Sequence, residues 1–402
     1  AATYVALSSS SDNGAASPKQ AVEKMIGDLE KSDLVGFLDD LAPGERDALS
    51  SPVRDDIDRL KQLGVVKSGA NPASLTAVSF AAHNLTYANK TITINDHVRI
   101  VALTGGTLDV QGDAAKLFTS RFIKSAGGSA RRWVQSTHID IAAAVRSSGQ
   151  PIRIATVQVG DRWYPSLFYT VADQAAGHAV PSASDAVAAT GAASGEQAVR
   201  LAVEALLKGD LRSVLGLISP SELGAVHDYG GMLLRQAGSG LTPTDVTIKS
   251  LELTSTPISG GAQRIGLKHL VLRRRDGTQL SITLRGSCLA VAAAGHSQQF
   301  CAAQLSQFVP LLQSQVCSGG ASISTNGVQR NFPQRCNSKP PTAAQKQAIT
   351  DLFSSFTEVG IVTTQSGGKW FLAPVRTVAD LGSTVLSGLK GDDLFELMHL
   401  GS

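Results

Sequence analysis

The sequence predicts an α+β protein made of two repeated units, each a long N-terminal helix packed on a curved antiparallel sheet. Three observations point there. A stretch of helix-spaced apolar residues occurs twice, a glycine turn followed by Trp and a second aromatic occurs twice, and alternating strands lie between them. Helices first and an antiparallel sheet after is an α+β order.

The first unit opens with Gln20-Ala21-Val22 and runs through Lys31-Ser32-Asp33-Leu34 to Pro43-Gly44-Glu45. The second repeats this as Gln197-Ala198-Val199, Lys208-Gly209-Asp210-Leu211 and Pro220-Ser221-Glu222. The offset is 177, and 10 of the 26 positions from 20 to 45 are identical to their counterparts. Val22, Met25, Ile26 and Leu29 have helical spacing, as do Val199, Ala202, Val203 and Leu206. Asp33 and Asp210 stand where a short second helix needs an N-cap, and Pro43 and Pro220 where it should stop.

Strands are expected at 85–87, 91–100, 246–248, 265–272 and 279–284. In the last, Leu280, Ile282 and Leu284 alternate with polar residues, as in a half-buried strand. Arg273-Arg274-Arg275 runs into Asp276-Gly277, a hairpin signal. Each unit closes alike: Gly160-Asp161-Arg162-Trp163-Tyr164 leads to Thr170-Val171-Ala172-Asp173, and Gly367-Gly368-Lys369-Trp370-Phe371 to Thr377-Val378-Ala379-Asp380. This offset is 207, so the second unit is longer by 207 − 177 = 30 residues. The implied layout is a flexible stalk at 1–16, a first domain at 17–177, an Ala/Ser/Gly-rich linker at 178–194 and a second domain at 195–402. The extra residues fall in a disulfide-bearing helical insertion at about 286–345.

A long amphipathic helix, a Gly-Asp-Leu step into a short helix, and a curved sheet closing on a Gly-x-x-Trp hairpin resemble the nuclear-transport-factor-2-like, or cystatin-like cone, superfamily. Lys208-Gly209-Asp210-Leu211, Pro220 and Gly367-Gly368-Lys369-Trp370 carry the likeness, with their first-copy partners. The ending Trp-Tyr/Phe before Thr-Val-Ala-Asp is similar to extracytoplasmic domains of actinobacterial single-pass cell-envelope membrane proteins. The resemblance implies a fold and a compartment, and transfers no catalytic residue.

Composition narrows the function classes. A net charge of +3 on 402 residues argues against a nucleic-acid binder. Arg131-Arg132 and the 273–275 triplet read as solvated strand ends. No apolar run approaches the ~20 residues of a membrane span. The opening at Ala1 followed by Ser8-Ser9-Ser10-Ser11 reads as a stalk left after a signal peptide, or after an N-terminal anchor absent from this chain.

All four cysteines, Cys288, Cys301, Cys317 and Cys336, fall in the second unit, which suggests two disulfides and an oxidising compartment. They lack the Cys-x-x-Cys spacing of a zinc knuckle, so no metal is assigned. If Leu305 to Val316 is helical, Cys301 and Cys317 stand roughly 24 Å apart and cannot pair. Two connectivities remain: Cys288–Cys301 with Cys317–Cys336, preferred for its shorter loops, and the interlocked alternative.

No Gly-x-Ser-x-Gly, His-Glu-x-x-His or phosphate-binding loop is present, and neither a catalytic residue nor a cofactor is assigned. Trp163, Trp370 and His269 are the candidate pocket-lining residues, with His269 placed on one strand face with Ile265, Leu267 and Val271. His138 and Asp140 share a strand face as an acid–base candidate, weighed against an ordinary surface pair. Asp173 and Asp380 read as helix caps, and 389–400 as a helix docking on its own domain. The leading expectation is a non-enzymatic envelope protein binding an apolar, lipid-like ligand or scaffolding envelope proteins. The alternatives are a ligand-free regulatory domain of a membrane complex and a cone-fold isomerase or dehydratase.

Overall fold

The computed structural model describes residues 14–74, 77–126, 134–236, 238, 242–305, 322–325, 328–331, 341–356 and 358–399. The first half comprises α1 (Pro18–Glu30), α2 (Leu34–Asp40), α3 (Pro43–Gln62), β1 (Val78–Tyr87), β2 (Ile92–Thr93), β3 (Val98–Asp113), α4 (Ala114–Leu117), α5 (Ser120–Ser125), β4 (Val134–Asp140), α6 (Ile141–Ser148), β5 (Ile152–Val159), β6 (Arg162–Pro165) and α7 (Leu167–Ala175). The second begins with α8 (Gly195–Leu207), α9 (Leu211–Gly216), α10 (Pro220–Asp228) and α11 (Gly230–Gln236). Its strands β7 (Val246–Pro257), β8 (Gln263–Arg274), β9 (Gln279–Arg285), β10 (Cys288–Ala293) and β11 (His296–Cys301) follow, then α12 (Ala302–Leu305) and the small hairpin β12 (Ser322–Thr325) and β13 (Val328–Asn331). It ends with α13 (Ala343–Phe356), β14 (Ile361–Ser366), β15 (Lys369–Leu372), α14 (Pro374–Gly388) and α15 (Asp393–Met398).

The result is a mixed α+β fold with curled antiparallel sheets. In the first half the order is β1-β3-β5-β6, with β2 and β4 also on β3. In the second it is β11-β10-β9-β8-β14-β15, with β7 also on β8. Local chemistry sets the helix bounds. Ser17 and Ser194 cap α1 and α8, and Asp33 and Asp210 cap α2 and α9 by accepting from Gly36 N–H (2.8 Å) and Ser213 N–H (3.0 Å). Pro43 and Pro220 do more than end a helix: each opens the next one at its first turn, where a missing N–H costs nothing. The expected strand 91–100 is interrupted, with β2 at Ile92–Thr93 and β3 starting only at Val98.

Matched backbone contacts recur in the halves. Trp163 and Ala15 exchange both backbone hydrogen bonds at 2.9 Å, and Trp370 and Ala192 do the same at 2.8 Å. Ala42 N–H donates to Pro165 O, and Ser219 N–H to Leu372 O. Thr170 and Thr377 each accept from a strand N–H, of Ala155 and Val362, at 2.9 Å, while donating to the carbonyl four residues back.

In the first half Val22, Met25 and Ile26 of α1 pack on one sheet face against Val101, Phe80, Tyr87 and Ile154. The helix α8 lies over β7, β8, β14 and β15 in the same manner. Two other clusters cross between halves. Tyr229 and Ala225 of α10 and its C-terminus join Val98, Ile100, Tyr169 and Ala172. Leu63, Val65 and Val66 after α3 join Leu389, Leu394 and Leu397. A Cβ on Gly44 would lie 1.7 Å from Ser221 O, so the N-termini of α3 and α10 meet backbone to backbone.

The C-terminal segment docks on its own half, where Leu389, Leu394 and Leu397 cluster with Leu352 of α13 and Lys390 Nζ lies 3.4 Å from Asp351 Oδ1, and it also reaches the first half. Phe395 is buried, with the Arg121 guanidinium 3.9 Å from its ring centroid, and Arg121 pairs with Asp392 at 2.5 Å. Arg59 of α3 donates to the carbonyls of Leu386, Ser387 and Leu389. The 178–194 stretch is also built in: Val187 is buried, and Gly230 and Gly231 leave the room that Val187 and Asp185 occupy. That close approach falls where the counterpart of the unbroken α3 divides into α10 and α11.

Candidate functional site

Of the four cysteines, Cys288 and Cys301 form a disulfide across paired strands β10 and β11. The described start of the insertion is therefore sheet rather than helix. Cys317, Cys336, Arg131, Arg132 and most of the expected 305–316 helix lie outside the described residues.

Trp163 and Trp370 sit at equivalent edge positions, each bridged to a preceding alanine, and Arg99 stacks 5.7 Å from the Trp163 ring centroid. His269 needs a correction. A bulge in β8 pairs Leu253 with Leu267 but Glu252 with His269, which puts His269 on the face opposite Ile265 and Leu267. There its Nδ1 lies 2.8 Å from Thr283 Oγ1 on the neighbouring strand. None of the three borders a described cavity. His138 pairs with Asp109 across the strands at 2.6 Å, not with Asp140, which caps α6.

Asp173 and Asp380 are not caps. Each lies inside its helix and pairs with a sheet arginine: Asp173 with Arg153 at 2.8 Å, Asp380 with both Nε and Nη2 of Arg264 at 2.6 Å. His178 Nδ1 completes the first pair at 2.8 Å.

Two polar arrangements went unassigned in the sequence. The first is a pair of buried glutamates at matched positions. Glu45 accepts from Ser166 Oγ and from the N–H groups of Leu167 (2.8 Å) and Phe168 (3.4 Å) at the start of α7. Glu222 accepts from Val375 N–H (3.2 Å) at the start of α14, with Arg376 Nε 3.0 Å away. Burial outweighs these donors and pushes both carboxyls up to about 7. The sequence signal was available, since Pro43-x-Glu45 recurs as Pro220-x-Glu222.

The second is a clasp between the halves. Asp228 of the second half faces three groups of the first: Asn95 Nδ2 at 2.8 Å, Tyr169 OH at 2.6 Å and His97 Nε2 at 3.2 Å. Burial alone would raise its pKa, but the His97, Tyr169 and Asn95 contacts hold it below the usual carboxylate range. Such a carboxylate is a weak base at neutral pH, and none of these residues lines a described cavity. Burial also holds the Tyr229 phenol above its ordinary range. The arrangement ties a carboxylate of the second half to three side chains of the first.

A cavity of about 650 Å³ forms an open groove on the first half between residues 67–74 and α4. Among the described residues no group of His, Cys, Asp and Glu could hold a metal ion, and no helix is long and apolar enough to cross a membrane. Fold and site together define a mixed α+β protein with curled antiparallel sheets, a disulfide between Cys288 and Cys301 and a shared interface between its halves. No protein family, curated protein or solved structure matches this chain.

Proposed function

We propose that this chain is a non-enzymatic, extracytoplasmic scaffold of the cell envelope, made by duplication of one nuclear-transport-factor-2-like cone unit. The observation that carries the reading is the matched framework, in which each half covers its sheet with its own first helix. The paired bridges at Trp163 and Trp370 and the paired buried acids Glu45 and Glu222 favour duplication over chance likeness. Disulfide Cys288–Cys301 favours an oxidising compartment. Of the two versions foreseen, scaffold and lipid carrier, the packing of α1 directly on its sheet in the first half favours the scaffold, because a lipid needs a deep apolar cavity.

The exposed valines at matched positions, Val171 and Val378, are 64% and 72% accessible, and they offer points for a partner contact. A photo-crosslinking side chain placed at Val378 in native envelope should give one adduct of discrete mass, and native mass spectrometry should give the bare polypeptide mass. A lipid bound one-to-one through purification would overturn the scaffold in favour of a carrier. Absence of any adduct from both Val171 and Val378 would count against the proposed contact points.

A further inference from the structure

We infer that the groove between residues 67–74 and α4 is a binding site for a small hydroxylated anion, such as a carboxylate- or phosphate-bearing sugar. The inference rests on the groove alone and stands or falls independently of the scaffold reading. Its volume of about 650 Å³ is in the range of small-ligand sites. Its described lining holds two lysines, Lys67 and Lys116, and no acidic side chain. The described lining also holds the hydrogen-bonding side chains of Ser68, Asn71 and Ser74, with Leu117 as an apolar patch.

The walls are fixed by their own bonds. Lys67 N–H donates to Leu117 O at 2.9 Å and its ammonium to Ala115 O at 2.5 Å, which ties the loop to α4. Ala70 N–H donates to Lys67 O and Ser74 N–H to Asn71 O. Asn71 Oδ1 accepts from Ala73 N–H at 3.0 Å, and its amide N–H₂ adds donor capacity to the wall. Behind the wall, Ala70 and Leu117 pack on the apolar cluster that holds the C-terminal segment, so the groove has a firm base. Two cations, amide and hydroxyl donors and no carboxylate among the described lining residues suit an anion bearing hydroxyl groups. They do not suit an apolar ligand or a metal.

The test is a titration of the full chain, followed by amide NMR shifts at low ionic strength, with galacturonate, glucose 6-phosphate and neutral galactose. The two acidic probes should move the amides of Gly69, Asn71 and Lys116, and galactose should move them far less. Whichever acid binds more tightly tells carboxylate from phosphate preference. Lys116→Gln, at an exposed position, should weaken the anion by several-fold, and Lys67→Gln with Lys116→Gln by about tenfold or more. If the double variant unfolds, the Lys116→Gln result decides. Equal response to galactose, undiminished binding by Lys116→Gln, or no shift with either acid at roughly tens of millimolar would overturn the assignment.

Discussion

The two halves meet the same structural demands with different residues, and their differences show which positions are fixed by architecture. Glu45 and Glu222 each cap the helix that follows the Trp hairpin, yet Glu45 leans on Ser166 whereas Glu222 has Arg376 beside it. Asp173 and Asp380 each receive an arginine, but from non-equivalent strands, β5 in one half and β8 in the other. Elsewhere polarity reverses. Lys24, Asp28 and Asp40 form a polar cluster in the first half, with burial pushing Asp40 up to about 6. The matched positions in the second half are Leu201, Ala205 and Leu217. A role that survives a change of partner is set by the fold; a role present once belongs to that half's own surroundings.

The largest expected effect breaks the comparison at the C-terminus, whose last helix packs on α13 of its own half and also on residues of the first. Phe395→Ala should destabilise the protein by about 3–5 kcal/mol, because it empties a buried aromatic site under Arg121. Hydrogen exchange should report the loss around 60–66 and 117–122 as well as in α15. If only α15 loses protection, the strap does not hold the first half.

The matched glutamates come next. Their folded pKa of about 7 lies above the ordinary 4.5, so the folded state binds these protons more tightly than the unfolded chain. The stability this contributes is present below about pH 4.5 and is lost as pH rises through 7. Each carboxyl should cost about 3 kcal/mol across that window. Glu45→Gln and Glu222→Gln should each flatten the stability profile between pH 5 and 8, measured by urea unfolding, and the double variant should flatten it further. A slope unchanged by both substitutions would place the pH dependence elsewhere.

The smallest effect sharpens the arginine comparison. Asp173 and Arg153 are more deeply buried than Asp380 and Arg264, with side-chain exposures of 2% and 11% against 14% and 21%. Asp173→Asn should therefore cost more than Asp380→Asn, about 3 against about 1–2 kcal/mol, since a buried cation left unpaired keeps its desolvation penalty. Equal losses in thermal unfolding would mean that solvent screens both pairs alike.

Legibility followed the range of the interaction. Asp33 and Asp210 were readable as caps because a cap bonds its own chain within three residues. The glycine turns before Trp163 and Trp370 were readable for the same reason, as two-residue loops that join adjacent strands. Asp173 and Asp380 misled because their helix suggested a local role, while their arginines lie in a sheet 20 and 116 residues away. His269 misled because one extra residue in β8 reverses the face of everything after it, and apolar alternation does not announce a bulge.

The sequence by itself determined the caps of α2 and α9, the glycine hairpins and the α+β order, because each depends on backbone preferences and side-chain periods within a few residues. Tertiary structure alone decided that Asp228 is clasped by Asn95, His97 and Tyr169, that Phe395 is buried under Arg121 of the first half, and that two glutamates are buried deeply enough to titrate near neutrality. Burial and long-range pairing depend on which surfaces meet. That is fixed by the sum of many weak contacts rather than by any motif.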